Sequence, residues 1–115
     1  MTYAFVERMY TTAMNRDYDV NGREYWASKL ANFEVTGEEV GASFFLSDEM
    51  TGYNLSNKEF INRLYKTFMD READDDGLSY WLEFIKTHTR ADVVYGFTRS
   101  PEFNERCIQA RILPC

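Results

Sequence analysis

Cysteine, proline and histidine are nearly missing from these 115 residues, which hold two, two and one of them respectively. So few prolines leave long stretches free to be helical. The two cysteines, Cys107 and Cys115, both fall near the C-terminal end, and their spacing fits neither a four-ligand zinc site nor a redox CxxC pair. They are read either as a short disulfide closing the tail or as two unpaired thiols. Long apolar runs are lacking too: none approaches the roughly 20 residues that a bilayer span needs, so membrane insertion is not expected. The N-terminal Met1-Thr2-Tyr3-Ala4-Phe5 has neither the basic nor the apolar region of a signal peptide. The chain is therefore expected to be cytoplasmic, or a piece of a longer exported protein. Positive charge is in deficit, with 13 Lys and Arg against 19 Asp and Glu and a net charge of −6. That balance repels phosphate backbones and disfavours nucleic acid as a partner. Aromatic residues, by contrast, make up 17% of the chain and suit a core of large rings.

One stretch occurs twice. Asn15-Arg16-Asp17-Tyr18-Asp19-Val20-Asn21-Gly22-Arg23-Glu24-Tyr25-Trp26 returns 55 positions later as Asp70-Arg71-Glu72-Ala73-Asp74-Asp75-Asp76-Gly77-Leu78-Ser79-Tyr80-Trp81. Arg16, Asp19, Gly22, Tyr25 and Trp26 match Arg71, Asp74, Gly77, Tyr80 and Trp81. Before each copy lies an apolar stripe at helical spacing: Phe5, Val6, Met9, Tyr10, Ala13 and Met14, then Phe60, Ile61, Leu64, Tyr65, Phe68 and Met69. The first of these helices is expected over 3–15. Ser56 and Glu59 form a capping-box pattern at the start of its duplicate. Asp19 and Asp74 are placed to cap the Trp-bearing helices, expected over 19–33 and 74–87. Glycine in the first turn of those helices indicates the close approach of a backbone or a ring. Arg16 and Arg71 are expected to meet helix-end carbonyls, or to pair with Asp19 and Asp74 across the turn. Thr36/Glu39 and Thr89/Asp92 open a third helix in each copy, and Ser100-Pro101 opens a last short one. The fold class predicted is all-α: a tandem duplication of a three-to-four-helix unit, packed about a pseudo-twofold as one compact helical bundle. Repeat one covers about 3–50, a linker 51–55, repeat two about 56–106 and a tail 107–115, all within a single domain.

With those residues in view the chain resembles the bacterial domain-of-unknown-function family 4214. Phe60, Leu64-Tyr65, Arg71, Asp74, Gly77, Tyr80-Trp81, Phe97, Ser100, Glu102 and Phe103 carry the likeness in one copy. Phe5, Met9-Tyr10, Arg16, Asp19, Gly22, Tyr25-Trp26, Phe44, Ser47 and Glu49 carry it in the other. Asn15 and Asp70 stand where that family usually has glycine, and Met50 replaces a final phenylalanine, departures that touch turn geometry. The resemblance implies a helical module, similar also to the repeated domains of phycobilisome linker proteins. It implies a place in a large secreted or surface-attached bacterial protein, with no catalytic activity and no resident cofactor. Its partners would be other modules of the same protein, or a protein or glycan ligand. Export would favour the Cys107–Cys115 disulfide.

Two readings of the acidic joint stay open. Glu72, Asp74, Asp76 and Glu83 fall at the first, third, fifth and twelfth places of a calcium loop, with Gly77 at the sixth. In the first copy Asp17, Asp19, Asn21 and Gly22 correspond, but the twelfth place is Ser28. Such a loop stays non-helical until its last residues, whereas a cap at Asp74 starts the helix at once. The calcium reading would make the chain a calcium-dependent adhesion or carbohydrate-binding module. Tyr18, Phe33, Tyr53 and Tyr95 lie outside the repeated pattern and are candidates for a binding face. A Cys107–His88 nucleophile pair lacks an orienting third residue, and Glu38-Glu39 reads as a capping box rather than a catalytic pair.

Overall fold

The computed structural model describes residues 2–115. All regular elements among them are helical: α1 (Thr2–Arg8), α2 (Val20–Ala31), α3 (Gly37–Phe45), α4 (Asp48–Gly52), α5 (Asn57–Leu64), α6 (Asp75–Phe84), α7 (Arg90–Thr98) and α8 (Pro101–Gln109). The expected all-α tandem is what forms, four helices to a half. The Trp helices end earlier than expected, α2 at Ala31 rather than 33 and α6 at Phe84 rather than 87. Phe33, at φ 59°, turns the chain out of α2. The linker is also shorter than expected, because α4 runs on through Gly52.

A feature the apolar stripes do not announce is a π-helical turn after α1, at Met9–Ala13, repeated after α5 at Tyr65–Met69. The last carbonyls of a helix have no amide ahead of them, and two arginines answer this reciprocally. Arg8 Nε donates to the Thr67 carbonyl at 3.1 Å, and Arg63 Nη1 donates to the Ala13 carbonyl at 2.8 Å. Each arginine thus ties its own half to the π turn of the other. Both turns end in the left-handed region, Asn15 and Asp70 each at φ 53°. These are the positions where the resembled family carries glycine, and asparagine and aspartate are the other residues that reach that region cheaply.

Caps explain most helix starts. Asp19, Thr36, Ser47, Ser56, Asp74, Thr89 and Ser100 each accept a first-turn amide. Thr36/Glu39 and Thr89/Asp92 complete reciprocal capping boxes. The expected box at Ser56 is only half made, since Glu59 turns instead to Arg63 at 3.1 Å.

The apolar stripes of both halves merge into one core. Phe45 of the first half packs on Phe60 and Phe68 of the second, with centroids 5.8 and 5.1 Å apart, and Phe5 lies 6.2 Å from Phe103. Phe68 presses so close to Gly41 that a β-carbon there would sit 2.6 Å from its ring. The connecting segments also cross over. Arg90, at the start of α7, donates to the Leu55 carbonyl of the linker at 2.6 Å. In the tail, the Leu113 and Pro114 carbonyls accept from the Gly37 and Glu38 amides at the start of α3, at 2.6 and 2.8 Å. The tail therefore closes on the first half instead of hanging free.

Candidate functional site

The duplicated motif builds the same crevice twice. One is lined by Tyr10, Met14, Arg16, Trp26, Phe44 and Glu49, with a volume of about 190 Å³. Its twin is lined by Tyr65, Met69, Arg71, Trp81, Phe97 and Glu102, with a volume of about 250 Å³. Asp19 and Asp74 start the helices that carry the tryptophans, Asp19 accepting from the Asn21 and Gly22 amides and Asp74 from the Gly77 amide at 2.6 Å. Gly22 and Gly77 then lie directly against the hydroxyls of Tyr10 and Tyr65, so the expected close approach is that of a ring. The tyrosine rings in turn meet Phe44 and Phe97 edge-on, each at 4.9 Å.

The main partners of Arg16 and Arg71 are not those expected of them, although the Arg71–Asp74 pair is made at long range. Each forms a forked pair with the glutamate of the fourth helix in its own half: Arg16 with Glu49 at 2.8 and 3.0 Å, Arg71 with Glu102 at 3.0 Å on both arms. Asp74 is only a distant second partner of Arg71, at 4.0 Å. A planar guanidinium and a carboxylate favour this two-armed geometry, which a contact across a short turn cannot supply. The same arginines cover the tyrosine faces at 5.0 and 5.2 Å, and each donates to a carbonyl of the joint, Asp17 and Glu72. Hydrogen bonds from Arg16 and from the Tyr53 hydroxyl pull the Glu49 carboxyl down to about 2. Arg71 lowers Glu102 likewise. Near neutrality both glutamates are ionised and hold no proton to give.

The calcium-loop residues are not gathered together. Because α6 begins at Asp75, Asp76 and Gly77 lie inside the helix, and Asp74 is spent on its cap. Glu72 pairs with Lys66 at 3.3 Å and Glu83 with Lys86 at 3.0 Å. Among the described residues no group of three or more histidine, cysteine, aspartate or glutamate side chains is placed to hold a metal ion. The acidic joint takes the capping geometry, and the loop geometry that would compete with it does not form.

Of the two readings of the cysteines, the unpaired one is found: Cys107 and Cys115 are both free. Cys107 is buried with its Sγ against Gly37, while the bonds from Leu113 and Pro114 to α3 leave Cys115 exposed at the chain end. Burial pushes the Cys107 thiol up to about 12, so it is protonated and inert. His88 is exposed at the far end of α6, stacked on Phe84.

Trp26 and Trp81 are half-buried against the core, while their neighbours Tyr25 and Tyr80 are exposed. Tyr18, Phe33 and Tyr53 are exposed and Tyr95 is half-buried. They are scattered over several elements, and three of them have local partners. Tyr18 lies under Arg23, Tyr95 under Arg99, and Tyr53 donates to Glu49. Sequence reasoning missed the roles of Glu49, Glu102, Arg8 and Arg63. All four recur in duplicate, and that recurrence was the available signal.

A family model for the domain of unknown function DUF4214 matches residues 1–53 and again residues 41–107. The chain belongs to this family, and the two overlapping matches support its reading as a repeat. No curated protein and no solved structure matches it.

Proposed function

We propose that the chain is a non-catalytic helical module of a larger secreted or cell-surface bacterial protein, where it spaces or anchors its neighbours and makes protein or glycan contacts. The observation that carries this reading is the use of the repeated motif. Its arginine, aspartate and tryptophan side chains and its glycine backbone are engaged within the fold, in both copies and in closely similar ways. With these residues used as a frame, recognition is left to the surface around them, the exposed Tyr25 and Tyr80 of the motif included. The test is made in cells that produce the full gene product. Protease added to intact cells should remove the epitope of this chain, and an epitope protected until lysis would overturn the reading.

The calcium-dependent alternative has less support, since the Asp74 carboxylate faces the Gly77 amide instead of a cation site. A calcium site filled at 100 times its dissociation constant would add about 2.7 kcal/mol of stability. Melting in millimolar calcium and in chelator should therefore give the same midpoint, and a rise of several degrees with calcium would restore the alternative.

A further inference from the structure

The two halves agree on the frame and differ on one exposed helix face. Along the end of α6 and the turn after it, Tyr80, Phe84 and His88 follow one another four residues apart and stack. Phe84 and His88 lie 3.8 Å apart at 5°, and Tyr80 and Phe84 lie 6.2 Å apart at 21°. The corresponding residues of α2 and the turn after it are Tyr25, Lys29 and Phe33, and there the Lys29 amine sits 5.1 Å from the Tyr25 ring. Asp76 and Glu83 flank the α6 stack, where the first half has Asn21 and Ser28. Together these side chains line a shallow groove of about 690 Å³.

The chemistry of this groove selects an occupant. Because the rings are stacked on one another, the flanks of the stack present ring edges, which pack against the face of another aromatic ring. The rim carries two carboxylates, Asp76 and Glu83, beside the hydroxyls of Ser79 and Thr87, and among the described residues Glu83 pairs with the exposed Lys86 while Asp76 has no cation partner. The His88 Nδ1 lies 3.0 Å from both the Phe84 carbonyl and the Thr87 hydroxyl, which fixes the ring over Phe84. Carboxylates on the rim and apolar edges within suit a donor-rich cation next to an aromatic ring.

We propose that the Tyr80–Phe84–His88 face of α6 docks a basic peptide segment of a partner protein, in which arginines alternate with aromatic side chains. The proposal rests on the reading of the chain as a contact-making module and names the kind of partner it contacts. It is tested on the purified chain, so its failure leaves the cell-surface assay untouched. The probe is the peptide acetyl-Arg-Phe-Arg-Phe-Arg-amide, with acetyl-Glu-Phe-Glu-Phe-Glu-amide as control, followed by amide NMR shifts and calorimetric titration. The basic peptide should bind saturably and move the α6 amides, not those of α2, while the acidic one does not bind. Tyr80→Ser and the pair Asp76→Asn with Glu83→Gln should each weaken binding about fivefold or more. Phe84→Lys, which installs the side chain the first half carries, should abolish it while leaving the helical spectrum unchanged. Absence of saturable binding up to about 1 mM, the weak end of specific association, would overturn the proposal. Equal binding of the acidic peptide, shifts centred on α2, or indifference to all these substitutions would do the same.

Discussion

Glu49 accepts from Arg16 and Tyr53 at once, and this double donation makes its acid response predictable. Its carboxyl titrates at about 2 in the folded chain against an ordinary value of 4.5. A carboxylate more acidic when folded stabilises the fold fully above its unfolded value, and the contribution fades as pH falls from 4.5 towards 2. With Arg16 and Glu49 side chains 42% and 37% exposed, solvent screening reduces the effect to about 1 kcal/mol. Urea midpoints at pH 7 and pH 2.5 should show Glu49→Gln losing less stability on acidification than the parent chain, by about that amount. Equal losses would show that the pair contributes nothing to the fold. Glu102, lowered in the same direction by Arg71, gives the same experiment in the other half. These partners lie 33 and 31 residues from their arginines, beyond the reach of turn and cap patterns. Only their joint recurrence in both copies could have suggested them.

Among the elements, the joint between the π turn and the Trp helix is the part under most constraint. Gly77 lies against the Tyr65 hydroxyl, and that ring is held by Phe97 and Arg71, so it cannot swing aside. Gly77→Ala should cost about 1–3 kcal/mol from overpacking, measured by urea unfolding. Tyr65→Phe in the same chain removes the nearer obstructing oxygen and should restore part of the loss, the Asp74 Oδ1 at 2.9 Å holding the remainder. Without that rescue, the crowding would have another source. The glycine's purpose was legible in the sequence, as were the caps, because both follow from local backbone needs. The π turns were not legible. Met9, Tyr10, Ala13 and Met14 fit a continuous helical stripe equally well, and the extra residue per turn changes hydrogen bonding without disturbing the apolar order. The early end of α2 was hidden too, because Phe33 is a bulky residue seldom found at positive φ.

At the scale of the whole molecule, the duplication and its all-α class were readable because two copies of one pattern reinforce each other. How the halves join was not. It depends on Arg8 and Arg63 reaching across to opposite π turns, and on linker and tail closing onto the third helix of the other half. It also depends on an exchange of bulk that no single repeat displays. Phe68 fills the space above Gly41, while the corresponding positions are Ala13 and Val94. The choice between a disulfide and two unpaired thiols stayed open for the same reason, since the tail's partner lies in α3 and not within itself. Halves so interlocked should unfold together. Differential scanning calorimetry of the whole chain tests this directly: the account predicts one transition whose calorimetric and van't Hoff enthalpies agree. Two transitions, or a calorimetric enthalpy near twice the van't Hoff value, would show two independent bundles and contradict it.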